Sequence, residues 1–243
     1  MNFIGDKSEE TLDFDMTLLA NFVHQVVNPL NGVAGTLDNL LDGTIGPERR
    51  EQRTNAARAQ LENCITLVRN LAFLVGKGTE RDTTDFKVVV LPQVIIEAAM
   101  FFQEEAETKK IRIELKDRHI QNKLNGHPEL IRQVLMNLFD NCVKYGQIGR
   151  NVIVKQWIQQ GTSNAIISIR SEPERQLDQE ETSRIFDLGY RGKNARSMVA
   201  SGTGIGLYVC RQLVKDVHNG EIYVQNDDGG LLFLMKIPGG EEG

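Results

Sequence analysis

Apolar residues recur every three or four positions through the first third of the chain, which is the pattern of amphipathic helices. A first stripe runs from Asp13 to Leu41, and a second runs from Ala57 to Val75. The segment DGTIGPERR between them supplies two glycines and a proline, which predicts a turn. Residues 13–77 are therefore predicted to form a helical hairpin. Its first stripe is broader than one partner helix would cover, so we expect a homodimer in which two hairpins form a four-helix bundle.

After Asp85 the pattern changes to short β-branched and apolar runs that alternate with helical segments. Strands are predicted over FKVVV, IRIEL, NVIVKQWIQ, NAIISIR, EIYVQN and LLFLMKIP. Helices are predicted over LPQVIIEAAMFFQEEAETKK and PELIRQVLMNLFDNCVKYG. These elements follow no regular βαβ order, so residues 85–240 are predicted to form an α+β sandwich with helices on one face of a mixed sheet.

Composition and charge narrow the classes of function. The chain has 243 residues, enough for two domains, and its net charge is -5. That charge argues against nucleic acid or an anionic membrane as the main partner. We find no signal peptide and no run of apolar residues suited to a membrane span, so we expect a cytoplasmic protein without direct membrane insertion. Cys64, Cys142 and Cys210 lie in apolar contexts and are predicted to be buried thiols.

The segment NFVHQVVNPLNGVAG places a titratable ring, His24, inside the first predicted helix. Pro29 deprives the carbonyl of Gln25 of its helical partner, so the helix should bend just past the histidine. Asn28 lies one turn after His24 and shares its face of the helix. A lone helical histidine is ordinarily a packing or surface residue, but a small polar patch on a packed bundle indicates a functional site.

A second group of polar residues lies in LIRQVLMNLFDNCVKYG, where Asn137, Asn141 and Lys144 share one face of a helix. Asparagine is a mediocre helix former, so two of them at a spacing of four need a reason. Amide oxygens suit Mg²⁺ and a lysine suits phosphate, which predicts a magnesium and phosphate site. A solvated helix face is the alternative.

The segment SGTGIGL supplies Gly202, Gly204 and Gly206 ahead of a predicted helix. Glycines let backbone amides approach phosphate oxygens, and the helix N-terminus adds a favourable dipole. Many loops are rich in glycine, so this spacing alone is weak support for a phosphate site.

The first of these segments resembles a known family. FVHQVVNPL is similar to the histidine box of sensor histidine kinases, whose pattern is F-x-H-E-x-x-[TN]-P-L. The resemblance implies that His24 is the phospho-acceptor and that Asn28 orients water when a phosphorylated partner is dephosphorylated. Gln25 stands where the family usually has a carboxylate that accepts a hydrogen bond from the imidazole. We therefore expect slower phosphorylation of His24, not its abolition.

The later segments resemble the nucleotide-binding boxes of GHKL ATPases. NLFDNCVKY is similar to the asparagine box, which implies that Asn141 binds Mg²⁺ beside Asn137, that Lys144 faces phosphate and that Tyr145 packs by the nucleotide. RIFDLGYRG resembles the phenylalanine box, which implies that Phe186 anchors an ATP lid over residues 187–201. SGTGIGL matches the second glycine box. The nucleotide-binding residues implied by the lid and this loop are Arg191, Gly202, Thr203, Gly204, Gly206 and Leu207.

The family's first glycine box, D-x-G-x-G after a strand, has no counterpart in IISIRSEPERQLDQEETSRIF. Its aspartate accepts a hydrogen bond from the adenine amino group. Counting back from Phe186 puts Glu172 in that place, whereas strand alternation favours Ser171. A site that lacks this hydrogen bond discriminates poorly between bases, so adenine specificity depends on which residue faces the nucleotide.

The resemblance extends from residue 12 to Pro238 and implies a sensor histidine kinase core. Such a core transfers a phosphoryl group from Mg-ATP to His24 and then to an aspartate on a response-regulator receiver domain. One alternative is a histidine phosphotransfer or phosphatase scaffold whose sandwich binds ATP weakly or not at all. Another is a GHKL protein of a different kind, such as a chaperone-like ATPase or a serine kinase, which the hairpin with His24 argues against.

Overall fold

The computed structural model of the protein describes residues 16–76, 85–193, 195 and 202–243. Both ends of the predicted hairpin, 13–15 and 77, and part of the predicted lid, 194 and 196–201, lie outside the described residues.

Two long helices form the predicted hairpin. Helix α1 spans Met16–Leu41 and helix α2 spans Pro47–Leu74. Helix α1 continues through Pro29 as one helix, and the turn after it uses Gly43 at a φ of +71°, a conformation that favours glycine. The proline of the predicted turn, Pro47, is the first residue of α2, a position where its missing backbone N–H costs no helical hydrogen bond. The two helices pack closely, as shown by the distance of 3.6 Å between the Cys64 thiol of α2 and the Val26 carbonyl of α1.

The rest of the chain forms eight strands, five helices and one π-helical turn among the described residues. The strands are β1 (Lys87–Val90), β2 (Ile113–Leu115), β3 (Lys123–Gly126), β4 (Val152–Gln159), β5 (Asn164–Ser171), β6 (Glu221–Asp227), β7 (Gly230–Pro238) and β8 (Gly240–Glu241). The helices are α3 (Leu91–Met100), α4 (Gln103–Thr108), α5 (Pro128–Tyr145), α6 (Gln179–Arg184) and α7 (Gly206–Gln212), which runs into a π-helical turn at Leu213–Val217.

The main sheet has five strands in the order β2-β4-β5-β7-β6. Strand β2 runs parallel to β4 and every other pair is antiparallel, so the predicted mixed sheet is confirmed. Helices α3, α5 and α7 cover one face, and a single apolar core fills the space between the layers. Phe139 of α5 and Ile169 of β5 are almost fully buried in it. This packing holds the polar face of α5 beside the end of β5.

Two features of the sandwich differ from the prediction. The single helix predicted over residues 91–110 is broken, because Phe102 turns into the core and meets Phe139 edge to face, with ring centroids 6.4 Å apart. A second sheet, β1-β3-β8, was also not predicted. Strand β3 has the sequence KLNG, whose intrinsic strand propensity is low, and it is stabilised by pairing with β1 along its whole length.

All three cysteines are buried free thiols, as predicted. Burial raises the pKa of the Cys142 thiol and of the Cys210 thiol to about 12. Both therefore stay protonated and act as small apolar side chains in the core.

A buried histidine without any distinguishing sequence motif joins the π-helical turn to the start of α5. His218 shares a hydrogen bond of 3.0 Å between Nδ1 and the Leu213 carbonyl, and its Nε2 accepts one of 3.1 Å from the His127 backbone amide. Its ring stacks on Phe86 at a centroid distance of 5.4 Å. Only the neutral ring, protonated at Nδ1, satisfies both contacts.

We expect this histidine to make the sandwich less stable in mild acid. Burial lowers the pKa of His218, so the unfolded chain takes up the proton more readily than the folded one. The stabilisation is therefore complete above the unfolded pKa, about 6.5, and is lost as pH falls from there towards the folded pKa. A His218→Phe variant should be less stable at pH 8. Its free energy of unfolding should fall less steeply between pH 7 and 5, by up to about 1.4 kcal/mol per pH unit.

Urea unfolding of the sandwich at several pH values measures this slope. His119→Phe is the matched control, since His119 is exposed. Equal slopes for His218→Phe and the unsubstituted protein would show that another group controls the acid sensitivity.

Candidate functional site

His24 and Asn28 lie on the exposed surface of α1, four residues apart and on one face of the helix. Between them in the sequence, Gln25 is half-buried and turns towards the sandwich, where it lines a cavity. The predicted acceptor is therefore accessible, and its neighbour in the chain forms part of the cavity wall.

The cavity lies between α5, the end of β5, the start of the predicted lid and the glycine-rich loop before α7. Twelve of the residues singled out in the sequence line it: Gln25, Asn137, Asn141, Lys144, Tyr145, Ser171, Arg191, Gly202, Thr203, Gly204, Gly206 and Leu207. The others, His24, Asn28 and Glu172, lie outside its lining.

Helix α5 presents the polar face that its sequence predicts. The amide nitrogen of Asn141 donates to the Asn137 carbonyl at 2.7 Å, so its amide oxygen is the end available to a cation. The Lys144 ammonium donates to the Asp140 carboxylate at 2.7 Å. Burial alone would lower the pKa of Lys144, but the charge of Asp140 and this hydrogen bond outweigh it and raise that pKa. Lys144 therefore remains a cation in the cavity wall.

The glycine-rich loop comes close to the start of the lid. Gly204 has a φ of +69°, and a Cβ placed on it would lie 2.6 Å from the carbonyl carbon of Gly189. The Gly189 amide also donates to the Gly204 carbonyl at 3.2 Å. Only a glycine allows this close approach of the two segments. Because Gly204 has no side chain, a phosphate group also has room to contact the backbone there. The next glycine, Gly206, accepts a hydrogen bond of 3.3 Å from Asn137 through its carbonyl.

The described part of the lid is held by a buried carboxylate. Glu181 is 2% exposed, accepts from the Lys193 amide at 3.0 Å and pairs with Arg175 at 2.7 Å. Phe186, the predicted anchor, is buried and meets Phe233 edge to face. Arg191 donates to the Ala195 carbonyl at 2.8 Å. The segment leading into the lid is thus a packed structure, and it carries Arg191 to the cavity.

The end of β5 decides which of two candidates faces the cavity. Ser171 is 4% exposed and lines it. The carboxylate of Glu172 instead pairs with Arg170 and with Arg150, each at 3.3 Å. Strand alternation therefore places Ser171, and not Glu172, at the cavity. Among residues that the sequence did not single out, Glu174 lines the same end of the cavity, two positions after Glu172 in the chain.

The wall residues that sequence reasoning missed also include Leu67, Asn70 and Asp140. Asp140 had a readable signal, because it precedes Lys144 by four residues on a predicted helix. Leu67 and Asn70 had none, because they lie on α2 and reach the cavity only when the hairpin packs on the sandwich.

Gln25 gives a direct test of the departure from the histidine box. On the role of His24 that the histidine box implies, we expect Gln25→Glu to label His24 from ATP faster, by about tenfold or more, because a carboxylate takes the proton from a reacting imidazole and a carboxamide cannot. The initial rate of labelling measures this. Gln52→Glu adds the same charge at an exposed position of α2 and serves as control. An unchanged or lower rate in Gln25→Glu would mean that the residue after His24 does not limit phosphorylation.

Comparison with known proteins agrees with this geometry. Residues 126–241 match the family described as histidine kinase-, DNA gyrase B- and HSP90-like ATPases. Over 226 residues the chain is 27% identical to the sensor protein KdpD of Clostridium acetobutylicum, covering 91% of this chain and 24% of that protein. Over 249 residues it is 28% identical to the adaptive-response sensory kinase SasA of a Nostoc species, covering 96% of this chain and 59% of that one. The chain thus spans only part of the length of these relatives.

A solved structure shows the same fold. The histidine kinase ThkA, in complex with the response regulator protein TrrA, superposes with a TM-score of 0.56 at 20% sequence identity, over 92% of this chain and 61% of that one. No helix in the described part of this chain is long and apolar enough to cross a membrane. The family match over the sandwich, the relatives along almost the whole length and this shared fold together support the resemblance of the chain to a sensor histidine kinase core.

Proposed function

We propose that the chain transfers the γ-phosphoryl group of Mg-ATP to His24 and then passes it to an aspartate of a response-regulator receiver domain. The observation that carries this proposal is the position of Gln25. It lines the same cavity as Asn141 and Gly204, and the exposed His24 directly precedes it in the chain.

The residues of the cavity fit a magnesium-bound triphosphate. The amide oxygen of Asn141 would hold Mg²⁺, and the Lys144 cation would face the phosphates. The glycine-rich loop has room for phosphate oxygens at Gly204, where a side chain would collide with backbone. When bound, Mg²⁺ neutralises the charge that builds up on the phosphate oxygens.

The chemistry of the first step assigns a role to His24. One imidazole nitrogen forms a bond to the γ-phosphorus, the bond from that phosphorus to the bridging oxygen of ADP breaks, and the other ring nitrogen loses its proton. The neutral carboxamide of Gln25 orients the ring but does not take that proton, which passes to water. Positioning the ring and the phosphate is therefore the main contribution of the protein.

The exposure of His24 and Asn28 suits the second step, because an aspartate of another protein has to approach the phosphohistidine. The solved structure of ThkA holds a response regulator, which supports the same class of partner here. Such a partner is consistent with a cytoplasmic location. The net charge of -5 supports neither nucleic acid nor an anionic membrane as partner.

The surface of the hairpin supports a homodimer. Apolar side chains that remain exposed on it are Val23, Val27, Leu30, Leu37, Leu41, Leu61, Ile65, Val68 and Val75. So many exposed apolar groups on two neighbouring helices favour a second copy that completes a four-helix bundle. We propose residues 13–77 as the dimerisation and phospho-acceptor domain and 85–240 as the ATP-binding domain.

Incubation of the protein with γ-labelled ATP and Mg²⁺ tests the proposal. The expected result is a protein-bound label that is lost in acid and stable in alkali, and that chases onto a purified receiver domain. ATP labelled at the α-phosphate is the control and should leave no label. Absence of γ-label at saturating nucleotide would refute the proposed kinase activity.

The pairing of Glu172 with Arg170 and Arg150 favours a second candidate function. It leaves the Glu172 carboxylate unavailable to accept a hydrogen bond from an adenine at the β5 end of the cavity. In that case the chain is a phosphotransfer or phosphatase scaffold that binds ATP weakly. Titration calorimetry with ATP and Mg²⁺ separates the two. The scaffold predicts weak or undetectable binding, together with loss of phosphate from a phosphorylated receiver domain that depends on Asn28.

A further inference from the structure

The hairpin of the same chain forms one wall of the nucleotide cavity. Gln25 of α1 and Leu67 and Asn70 of α2 line it together with Asn137 and Asn141 of α5. His24 precedes Gln25 directly, so the acceptor segment of a chain lies next to that chain's own cavity.

A cluster of buried carboxamides holds the hairpin in this position. Asn70 of α2 is 2% exposed. Its amide nitrogen donates to the Asn137 oxygen at 2.9 Å, and its amide oxygen accepts from Gln133 at 2.7 Å and from Asn137 at 3.2 Å. All three hydrogen bonds join the hairpin to α5. Loss of this contact inside a closed interface would leave buried polar groups unpaired, which is costly.

Charged and apolar groups surround this amide cluster. Glu129 of α5 pairs with Arg69 of α2 at 3.0 Å, and Arg132 of α5 approaches Glu62 of α2 at 3.6 Å. Burial would raise the pKa of Glu129, but Arg132 and Arg69 outweigh it and lower that pKa. The last residue of α2, Leu74, is buried in the core of the sandwich. Contacts of three kinds therefore fix α2 to its own sandwich.

We propose that each chain phosphorylates its own His24, and that Asn70 is the positioning residue that docks the nucleotide cavity against the hairpin of the same chain. This inference rests on the proposed kinase activity. Transfer to the partner copy would require the cavity to leave the hairpin that already lines it, and so to break the three hydrogen bonds of Asn70.

Mixed dimers test the route of transfer. An unsubstituted chain and an Asn141→Ala chain, made distinguishable by size and by two affinity tags, are expressed together and purified through both tags. Asn141→Ala removes the proposed magnesium ligand, and its own homodimer should not label. With γ-labelled ATP, intramolecular transfer labels only the unsubstituted chain. Label on the Asn141→Ala chain would overturn the proposal.

Two further results keep this test separate from the kinase activity itself. If the unsubstituted homodimer takes up no label, the proposed function fails and not merely the route. If no mixed dimer is captured, the labelling rate per chain is measured over a range of protein concentrations. A rate per chain that is independent of concentration in monomers supports intramolecular transfer, and a rate that rises in proportion to concentration contradicts it.

Asn70→Ala tests the docking contact. We expect the labelling rate at saturating ATP to fall by tenfold to a hundredfold, on the order expected for a misplaced reacting group, with a much smaller loss of ATP affinity. Asn63→Ala, two turns earlier on α2, is the matched control, because Asn63 makes no side-chain hydrogen bond to any residue that the structure describes. A loss of ATP affinity equal to the loss of rate, or an unchanged rate, would show that Asn70 does not position the cavity.

Discussion

Replacement of His24 by alanine is expected to abolish the acid-labile label while ATP affinity stays nearly unchanged. The imidazole is exposed on α1 and lies outside the lining of the cavity, so its removal deletes the proposed nucleophile and leaves the proposed nucleotide contacts in place. Substitution at such an exposed position should change the free energy of unfolding by less than about 0.5 kcal/mol. Label uptake from γ-labelled ATP and titration with unlabelled ATP measure the two effects separately.

His119→Ala is the control for this experiment, because His119 is also exposed but belongs to the sandwich and not to the hairpin. It should label at the rate of the unsubstituted protein. Persistence of label in His24→Ala would place the acceptor on another residue. A parallel loss of ATP affinity would mean that the ring itself helps to form the cavity.

The sequence was sufficient to predict elements whose signal is local. The polar face of α5 follows from the spacing of Asn137 and Asn141, and the loop at Gly204 from its glycines. Strand alternation placed Ser171 in the cavity, whereas counting back from Phe186 favoured Glu172, which the structure pairs with two arginines. Alternation was the better guide because it reflects which face of β5 a side chain occupies.

Features that depend on contacts between distant segments were not predictable. Strand β3 has little propensity of its own and is stabilised by its pairing with β1. Asn70 is an ordinary polar position in a helical stripe until α2 packs against α5 and places its carboxamide between Gln133 and Asn137. The residue spacing within α2 cannot predict that Asn70 will contact Asn137, which lies 67 positions away in the chain.

Residues with a local sequence signal and residues without one have different roles in the protein. The groups proposed to bind nucleotide lie on the sandwich and have local signatures, so the sequence reveals the chemistry. The contacts that bring this cavity to His24 lie between hairpin and sandwich and are largely polar. Polar interfaces between domains separate more readily than apolar ones. In the proposed two-step transfer, such an interface would let the sandwich change its position relative to His24 between the two steps.

Replacement of Gly204 by alanine should weaken ATP binding by at least about tenfold, which corresponds to about 1.4 kcal/mol. Two separate effects act there. The φ of +69° is strained for any residue with a Cβ, and such strain costs about 1–3 kcal/mol. The new methyl group would also lie 2.6 Å from the Gly189 carbonyl carbon and 2.7 Å from the backbone carbonyl oxygen of Tyr190. These are backbone atoms, which cannot move out of the way by a change of rotamer. The glycine-rich loop and the start of the lid therefore have to move apart.

Gly161→Ala separates the collision from the backbone strain. Gly161 has a φ of +78° in the turn between β4 and β5, but a Cβ added there meets no atom within 4 Å. It therefore carries similar backbone strain without a collision and far from the cavity, and it should lower stability while leaving ATP affinity unchanged. Titration calorimetry with ATP and Mg²⁺ and urea unfolding of both variants provide the comparison. Equal ATP affinity in the two variants would show that the close approach of Gly204 to Gly189 does not shape the phosphate site.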